Sequence, residues 1–233
     1  VQILYSAEDN VVVHARAAGD YGAGGSVTIT DCDFRNPNTK RDGTPNASGL
    51  GDCFQAAPTD GYWKQALLID GLYMYKLDDN KQSLRLHDAF GGNTVRNIHC
   101  VSSTSGNATV GLGSIRGEFL LEDAYFSEGC NIFPLVRMTP DPNNPPASLL
   151  PSTGRITLRR IIGDCPLGDF AGMLTVTSDN AGSGTLEGQV VVESCVGVGP
   201  ETSEPFVRLW KSGMATVIGT SFKATIRNNA SFI

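Results

Sequence analysis

Long apolar runs are missing from this 233-residue chain. The longest, such as residues 66–69, fall far short of the roughly 20 residues that span a bilayer as a helix. No membrane partner is expected. Positive charge is also scarce. Eighteen Lys and Arg face 24 Asp and Glu, for a net charge of −6 and a pI near 5.0. A nucleic-acid partner is not expected, because neutralising phosphates takes a basic surface. No block of like charge marks a tail or a polybasic anchor. No secretory leader is recognisable, and the chain begins at Val1, so it is expected to be processed, a fragment, or part of a longer protein. Helical periodicity is absent too: no stretch repeats apolar residues at i, i+3, i+4 and i+7 over three turns. The six cysteines, at 32, 53, 100, 130, 165 and 195, form no C-x-x-C pair. Zinc-ribbon spacing is therefore excluded, and neither EF-hand nor nonapeptide calcium repeats occur, so no metal and no cofactor are expected. The even count allows three disulfides. Cys32, Cys100, Cys165 and Cys195 nevertheless fall within or at the ends of apolar strands, which favours buried free thiols.

What is present is a repeat. Residues 27–34 read VTITDCDF, an alternating strand, an acidic corner and a second short strand. Related phrases begin at 66 (ALLIDGLY), 93 (NTVRNIHC), 119 (FLLEDAYF), 156 (ITLRRIIG), 190 (VVVESCVG) and 215 (ATVIGTSF). Fixed units with variable insertions mark a stacked-repeat architecture. The corner position reads Asp31, Asp70, Asn97, Asp123, Arg160, Ser194 and Gly219. Between the phrases lie strands of a second type, expected at 11–16, 83–88, 109–113, 132–137, 173–177 and 206–211. Their period-two alternation is clearest at Leu84/Leu86, Val110/Leu112, Leu174/Val176 and Val207/Leu209. One rung, within 36–64, shows no clear second strand. Asp-Gly pairs occur at 42–43, 60–61 and 70–71 but do not sit consistently between paired strands, which counts against hairpins. The chain is instead expected to coil, each rung stacking on the last.

The phrase, hydrophobic-x-hydrophobic-x-Asp/Asn-small-x-aromatic, resembles the rung consensus of right-handed parallel β-helices, the pectate-lyase-like superfamily. The resemblance implies an all-β fold: a single-stranded right-handed parallel β-helix of about eight rungs with irregular loops. One domain would cover 1–233, with a worn first rung in 1–26, repeated rungs in 27–222 and a C-terminal cap in 223–233. In that family the corner often carries stacked Asn side chains. Asn97 fits, and Arg160 is placed to neutralise Asp123. Residues 19–25, GDYGAGG, are similar to the opening of phage tailspike β-helices. The longer insertions at 36–64, 139–154, 178–188 and 197–204 are expected to carry contacts, and the proline-rich 139–154 is read as an extended arm.

The family includes polysaccharide lyases and glycosidases, but their Asn-Thr-Asp, Gly-His-Gly and Arg-x-Pro-x-x-Arg segments are absent. The expectation leans to a bacteriophage virion protein, tailspike-like or capsid-decorating, without catalysis of its own. It would self-associate, as trimers, or bind other virion proteins, with cell-surface polysaccharide as a further partner. The alternative is a polysaccharide lyase or glycosidase, whose paired carboxylates would come from Asp31, Asp70 and Asp123, and a third reading is a secreted carbohydrate-binding or adhesin-like domain. Ligand or partner binding is expected at Trp210, Arg208, Arg85 and His87, which lie opposite the apolar positions of their strands. His14, His87 and His99 show no metal spacing.

Overall fold

A computed structural model describes residues 1–6, 10–13, 26–37, 39–44, 51–56, 66–76, 83–87, 92–102, 110–113, 117–130, 135–137, 154–164, 174–177, 189–198, 207–210, 214–218, 224–227 and 231–232. The regular elements among them are all strands. In chain order they are β1 (Gln2–Ile3), β2 (Val11–Val13), β3 (Ser26–Arg35), β4 (Phe54–Ala56), β5 (Ala66–Lys76), β6 (Leu84–His87), β7 (Asn93–Ser102), β8 (Val110–Gly113) and β9 (Glu118–Glu128). They continue with β10 (Leu135–Arg137), β11 (Arg155–Asp164), β12 (Leu174–Thr177), β13 (Gln189–Glu193), β14 (Val196–Val198), β15 (Val207–Trp210), β16 (Met214–Ile218), β17 (Ala224–Arg227) and β18 (Ser231–Phe232).

The chain shuttles between two parallel sheets. The first runs β1-β3-β5-β7-β9-β11-β13-β16-β18, with β14 also on β11; the second runs β2-β4-β6-β8-β10-β12-β15-β17. Parallel neighbours cannot be joined by a tight turn, and here each crossover carries a strand of the other sheet. The second strands lie inside their expected ranges. The rung without one supplies β4, and residues 224–233, expected as a cap, place β17 in one sheet and β18 in the other. Residues 19–25, 139–153 and 178–188, with His14, Cys165 and Gly219, lie outside the described residues.

The long strands are bent arcs, because each holds a residue in the left-handed region near its middle; β9 ends on a second, Glu128 (φ 61°). The mid-strand residues are Asp31 (φ 50°), Gly71 (75°), Asn97 (53°), Asp123 (51°) and Arg160 (50°), followed by Ser194 (52°) between β13 and β14. The inserted conformation breaks the period of two. In β5, Leu67 and Ile69 point inward, Asp70 and Gly71 both lie outward, and Leu72 and Met74 point inward again. Without the corner, the second half of every strand would turn its apolar side chains to solvent.

One expectation needs correcting. Asp70 is not a corner residue. The register pairs Thr30 with Asp70 and Cys32 with Leu72, which sets Gly71 opposite Asp31. The left-handed region favours Gly over any residue with a Cβ, so Gly71 takes the corner and the copy starts one residue later than its Asp suggested. A Cβ at Gly71 would also lie 2.8 Å from Asp31 Oδ1.

Behind the corner, inward residues stack in continuous lines. Leu67, Asn93, Phe119 and Ile156 form one, and Ile69, Val95, Leu121 and Leu158 the next. Phe54, Leu84 and Val110 of the second sheet belong to the same apolar cluster.

Substituting Gly71→Val should therefore lower unfolding free energy by about 2 kcal/mol or more, since a β-branched residue is an outlier at positive φ. Gly71→Asn should cost less, because Asn tolerates this region. Urea denaturation of both variants reads the difference; equal midpoints for Gly71→Val and the parent would place the corner elsewhere.

Candidate functional site

Parallel, in-register stacking brings equivalent side chains within ~4.8 Å of one another on the outer surface. Like charges would repel at that distance, and the line just before the corner avoids this by alternating sign. It reads Asp70, Arg96, Glu122, Arg159, Glu193. Arg96 donates to Asp70 through Nε (2.8 Å) and Nη2 (2.7 Å), and Arg159 reaches Glu193 (2.9 Å) and Glu122 (3.7 Å). The corner line adds to the network. Asn97 Nδ2 donates to Asp70 Oδ1 at 2.6 Å, and Arg160 forks onto both oxygens of Asp123 at 2.7 Å while touching Glu122 at 2.9 Å.

This geometry decides what Asp31, Asp70 and Asp123 can do. Both oxygens of Asp70 and of Asp123 are engaged. The Arg96 guanidinium, with the Asn97 amide, holds Asp70 below the usual carboxylate range; Arg160 does the same for Asp123. A general acid needs the opposite shift. Asp31 and Asp123 share the corner line but lie three strands apart, about 14 Å at ~4.8 Å per strand, beyond the ~9.5 Å limit for an inverting pair. Asp70 and Asp123 are two strands apart, with Arg96 and Asn97 between them.

A second outer line begins two residues after the corner: Asp33, Tyr73, His99, Tyr125, Ile162, Val196. His99 packs edge-on against Tyr73 (5.2 Å between ring centroids) and tilted against Tyr125 (4.9 Å); its Nε2 lies 3.3 Å from Ser127 Oγ. Burial lowers the His99 pKa. Arg35 lies over the Tyr73 ring at 4.8 Å and pairs with Asp33 at 2.7 Å. The far end is bare: Tyr125 is 37% exposed, Ile162 49% and Val196 45%. This strip was hidden in the sequence by the misplaced corner. Counting from Asp70 aligns Tyr73 with the inward Phe34 instead of with His99 and Tyr125.

The second sheet holds the four expected binding residues. Leu84 and Leu86 are fully buried and Arg85 is half-buried between them. Arg85 shares a register line with Arg208, and His87 shares the adjacent line with Trp210. The two pairs lie four strand spacings apart, about 19 Å at ~4.8 Å each. Arg85 and His87 thus come together, as do Arg208 and Trp210, but the pairs do not meet. The side chains of His87, Arg208 and Trp210 lie outside those described.

No family model, curated protein or solved structure matches this chain. Among the described residues no three His, Cys, Asp or Glu side chains are grouped to hold a metal ion. Five cysteines are free thiols: Cys53, Cys100 and Cys130 are buried, while Cys32 and Cys195 are partly so.

The paired carboxylates predict an acid response. Asp33, Asp70 and Asp123 all have folded-state pKa values below the ordinary value of ~3.9. Their stabilising contribution is complete above the unfolded pKa and is lost as pH falls through the folded one. Stability should be insensitive to these groups from pH 7 to about 5 and should fall below about 4. Thermal melts at stepped pH should show a shallower acid limb for Asp70→Asn with Asp123→Asn.

Proposed function

We propose that the two parallel sheets are faces of a single right-handed parallel β-helix of about eight rungs. We further propose that it serves as a rigid, non-catalytic scaffold of a bacteriophage virion, tailspike-like or capsid-decorating. The alternation of the chain between the sheets, with β13 and β14 together making one pass of the first, supports the coil, and the bend in each long strand supplies the corner such a coil needs. The observation that carries the non-catalytic reading is the charge ladder beside the corner: Asp70 and Asp123, two of the three candidate carboxylates, have both oxygens held by Arg and Asn partners.

Assembly is supported by the strip after the corner. Tyr125, Ile162 and Val196 are consecutive in register and exposed, on a flat face made by parallel strands. Contiguous exposed apolar side chains on a soluble surface mark a contact site. Packing of such strips between copies, as trimers, or against other virion proteins would cover them.

Light scattering of the purified chain should give a homo-oligomer, and Tyr125→Glu with Ile162→Glu should release monomers with an unchanged circular dichroism spectrum. A parent that stays monomeric at high concentration removes the self-assembly part of the proposal. Incubation with acidic polysaccharide should leave its chain length unchanged; depolymerisation abolished by Asp31→Asn or Asp70→Asn would overturn the non-catalytic reading in favour of a lyase or glycosidase.

A further inference from the structure

β5 is paired on both edges along nearly its whole length. β3 is not. One edge carries β5 from Ser26 to Arg35, but the other meets β1 only at Asp33 and Phe34. Contact with β1 stops at the corner, where the Val1 carbonyl accepts from the Asp33 N–H at 2.9 Å and the Val1 amino group lies 3.5 Å from Asp31 O. Among the described residues, no strand lies on that edge of Ser26–Thr30. The packing shows the same gap. Val27 and Ile29 are only partly buried, whereas Leu67 and Ile69, stacked on them, are 2% and 0% exposed. β1 and β2 are the terminal strands of their sheets. In or beside them lie Val1, Leu4, Tyr5 and Val12, four of the seven large apolar side chains exposed among the described residues. Apolar exposure thus collects at this end of the stack.

An unpaired strand edge is a template for another strand, and edges are commonly guarded by charge or proline. Ser26–Thr30 reads SVTIT and has neither. Its polarity is also the same from either end. Laid antiparallel on a second copy about a two-fold axis through Thr28, it sets Val27 opposite Ile29 on the core side and Ser26 opposite Thr30 on the outer side. A shift of one residue would face Val27 with Thr30 and lose the match. The acids stay apart as well. The two Asp31 residues fall on opposite sides of the axis, each three residues from it, and so about 20 Å from each other. We infer that Ser26–Thr30 is a self-pairing edge: a second copy of the chain adds its own Ser26–Thr30 as an antiparallel strand and joins two stacks end to end. The two-fold axis closes the contact at a dimer. This contact goes beyond the scaffold role and is separate from the strip at Tyr125, Ile162 and Val196, which lies on a sheet face and not on an edge. Five residues a side make an interface well below the ~1,000 Å² of stable complexes, so pairing is weak, with a dissociation constant on the order of 0.1 mM.

Sedimentation tests this on the full chain carrying Tyr125→Glu and Ile162→Glu, which takes the strip out of the measurement. Between about 10 µM and about 1 mM the mass should rise from monomer to dimer. Amide hydrogen exchange within Ser26–Thr30 should slow over the same range, while the rest of β3 stays unchanged. Thr28→Lys sets two cations opposite each other on strands whose Cα atoms are about 5 Å apart, and should weaken the dimer roughly fivefold or more. Thr28 is exposed, so the fold is kept, and Thr28→Val should leave the dimer intact. A chain that stays monomeric throughout that range, a dimer untouched by Thr28→Lys, or growth past the dimer into filaments would overturn the inference. Failure of the strip shows differently: the unsubstituted chain would then match the Tyr125→Glu, Ile162→Glu chain in mass at every concentration.

Discussion

The first sheet depends on one backbone dihedral repeated along the stack. A non-glycine residue in the left-handed region costs about 1–2 kcal/mol, and Asp31, Asn97, Asp123, Arg160 and Ser194 each adopt it. What offsets the strain is the phase of the side chains. In β5 the corner lets Leu67, Ile69, Leu72 and Met74 all point inward, each no more than 2% exposed. A fully buried side chain of this kind contributes roughly 1.5–3 kcal/mol, so a single strand recovers several times the strain of its corner. The identity of the corner residue is then free to vary, provided its backbone is held. That is why the position passes from Asp to Gly, Asn, Arg and Ser without loss of the arc.

Stacking in register imposes a second constraint. Two like charges ~4.8 Å apart repel by about 1 kcal/mol in water and about 3.5 kcal/mol at an effective dielectric of about 20. Any outward line of charges must therefore alternate in sign or be interrupted. The line from Asp70 to Glu193 alternates, and the corner line interrupts its acids with Gly71 and Asn97. The pairs are partly exposed, with Glu122 the most covered, and each contributes little on its own. Their larger effect is on pairing: a one-residue slip of β7 against β5 would face Asp70 with Asn97 and move Arg96 opposite Ile69, taking the cation from its carboxylate and the apolar line from the core. Charge and hydrophobic pattern specify the same register.

Most of this arrangement was legible in the sequence. The period-two pattern located the second strands, the repeated phrase located the arcs, and Arg160 was already opposite Asp123. The failure came at a single residue. An Asp-Gly pair offers two candidates for a left-handed corner, and composition cannot say which one takes it. Choosing Asp70 displaced one copy by one position, and that was enough to hide two surface features. Asp70 was lined up with Asn97 instead of Arg96, and Tyr73 with an inward aromatic instead of with His99 and Tyr125. The short strand β4 was missed for a different reason: Phe54–Ala56 is too brief to show alternation and sits in a Gly- and Pro-rich stretch.

The thiols follow from the same packing. Cys53, Cys100 and Cys130 are buried, and two of the thiols meet main-chain carbonyls: Cys53 Sγ donates to Phe34 O at 3.8 Å, and Cys130 Sγ to Cys100 O at 3.5 Å. A small apolar side chain with one weak donor suits such a position better than Ala, which cannot donate, or Ser, which is costlier to desolvate. Burial pushes the Cys100 thiol well above its ordinary pKa, so it stays protonated and inert. Desolvation thus quiets the Cys100 thiol, while pairing occupies the carboxylates of Asp70 and Asp123. What remains open to a partner is the set of outward pleat positions away from the corner. There the side chains are free of any role in the arc, and the ~4.8 Å repeat converts a sparse set of residues into an ordered row.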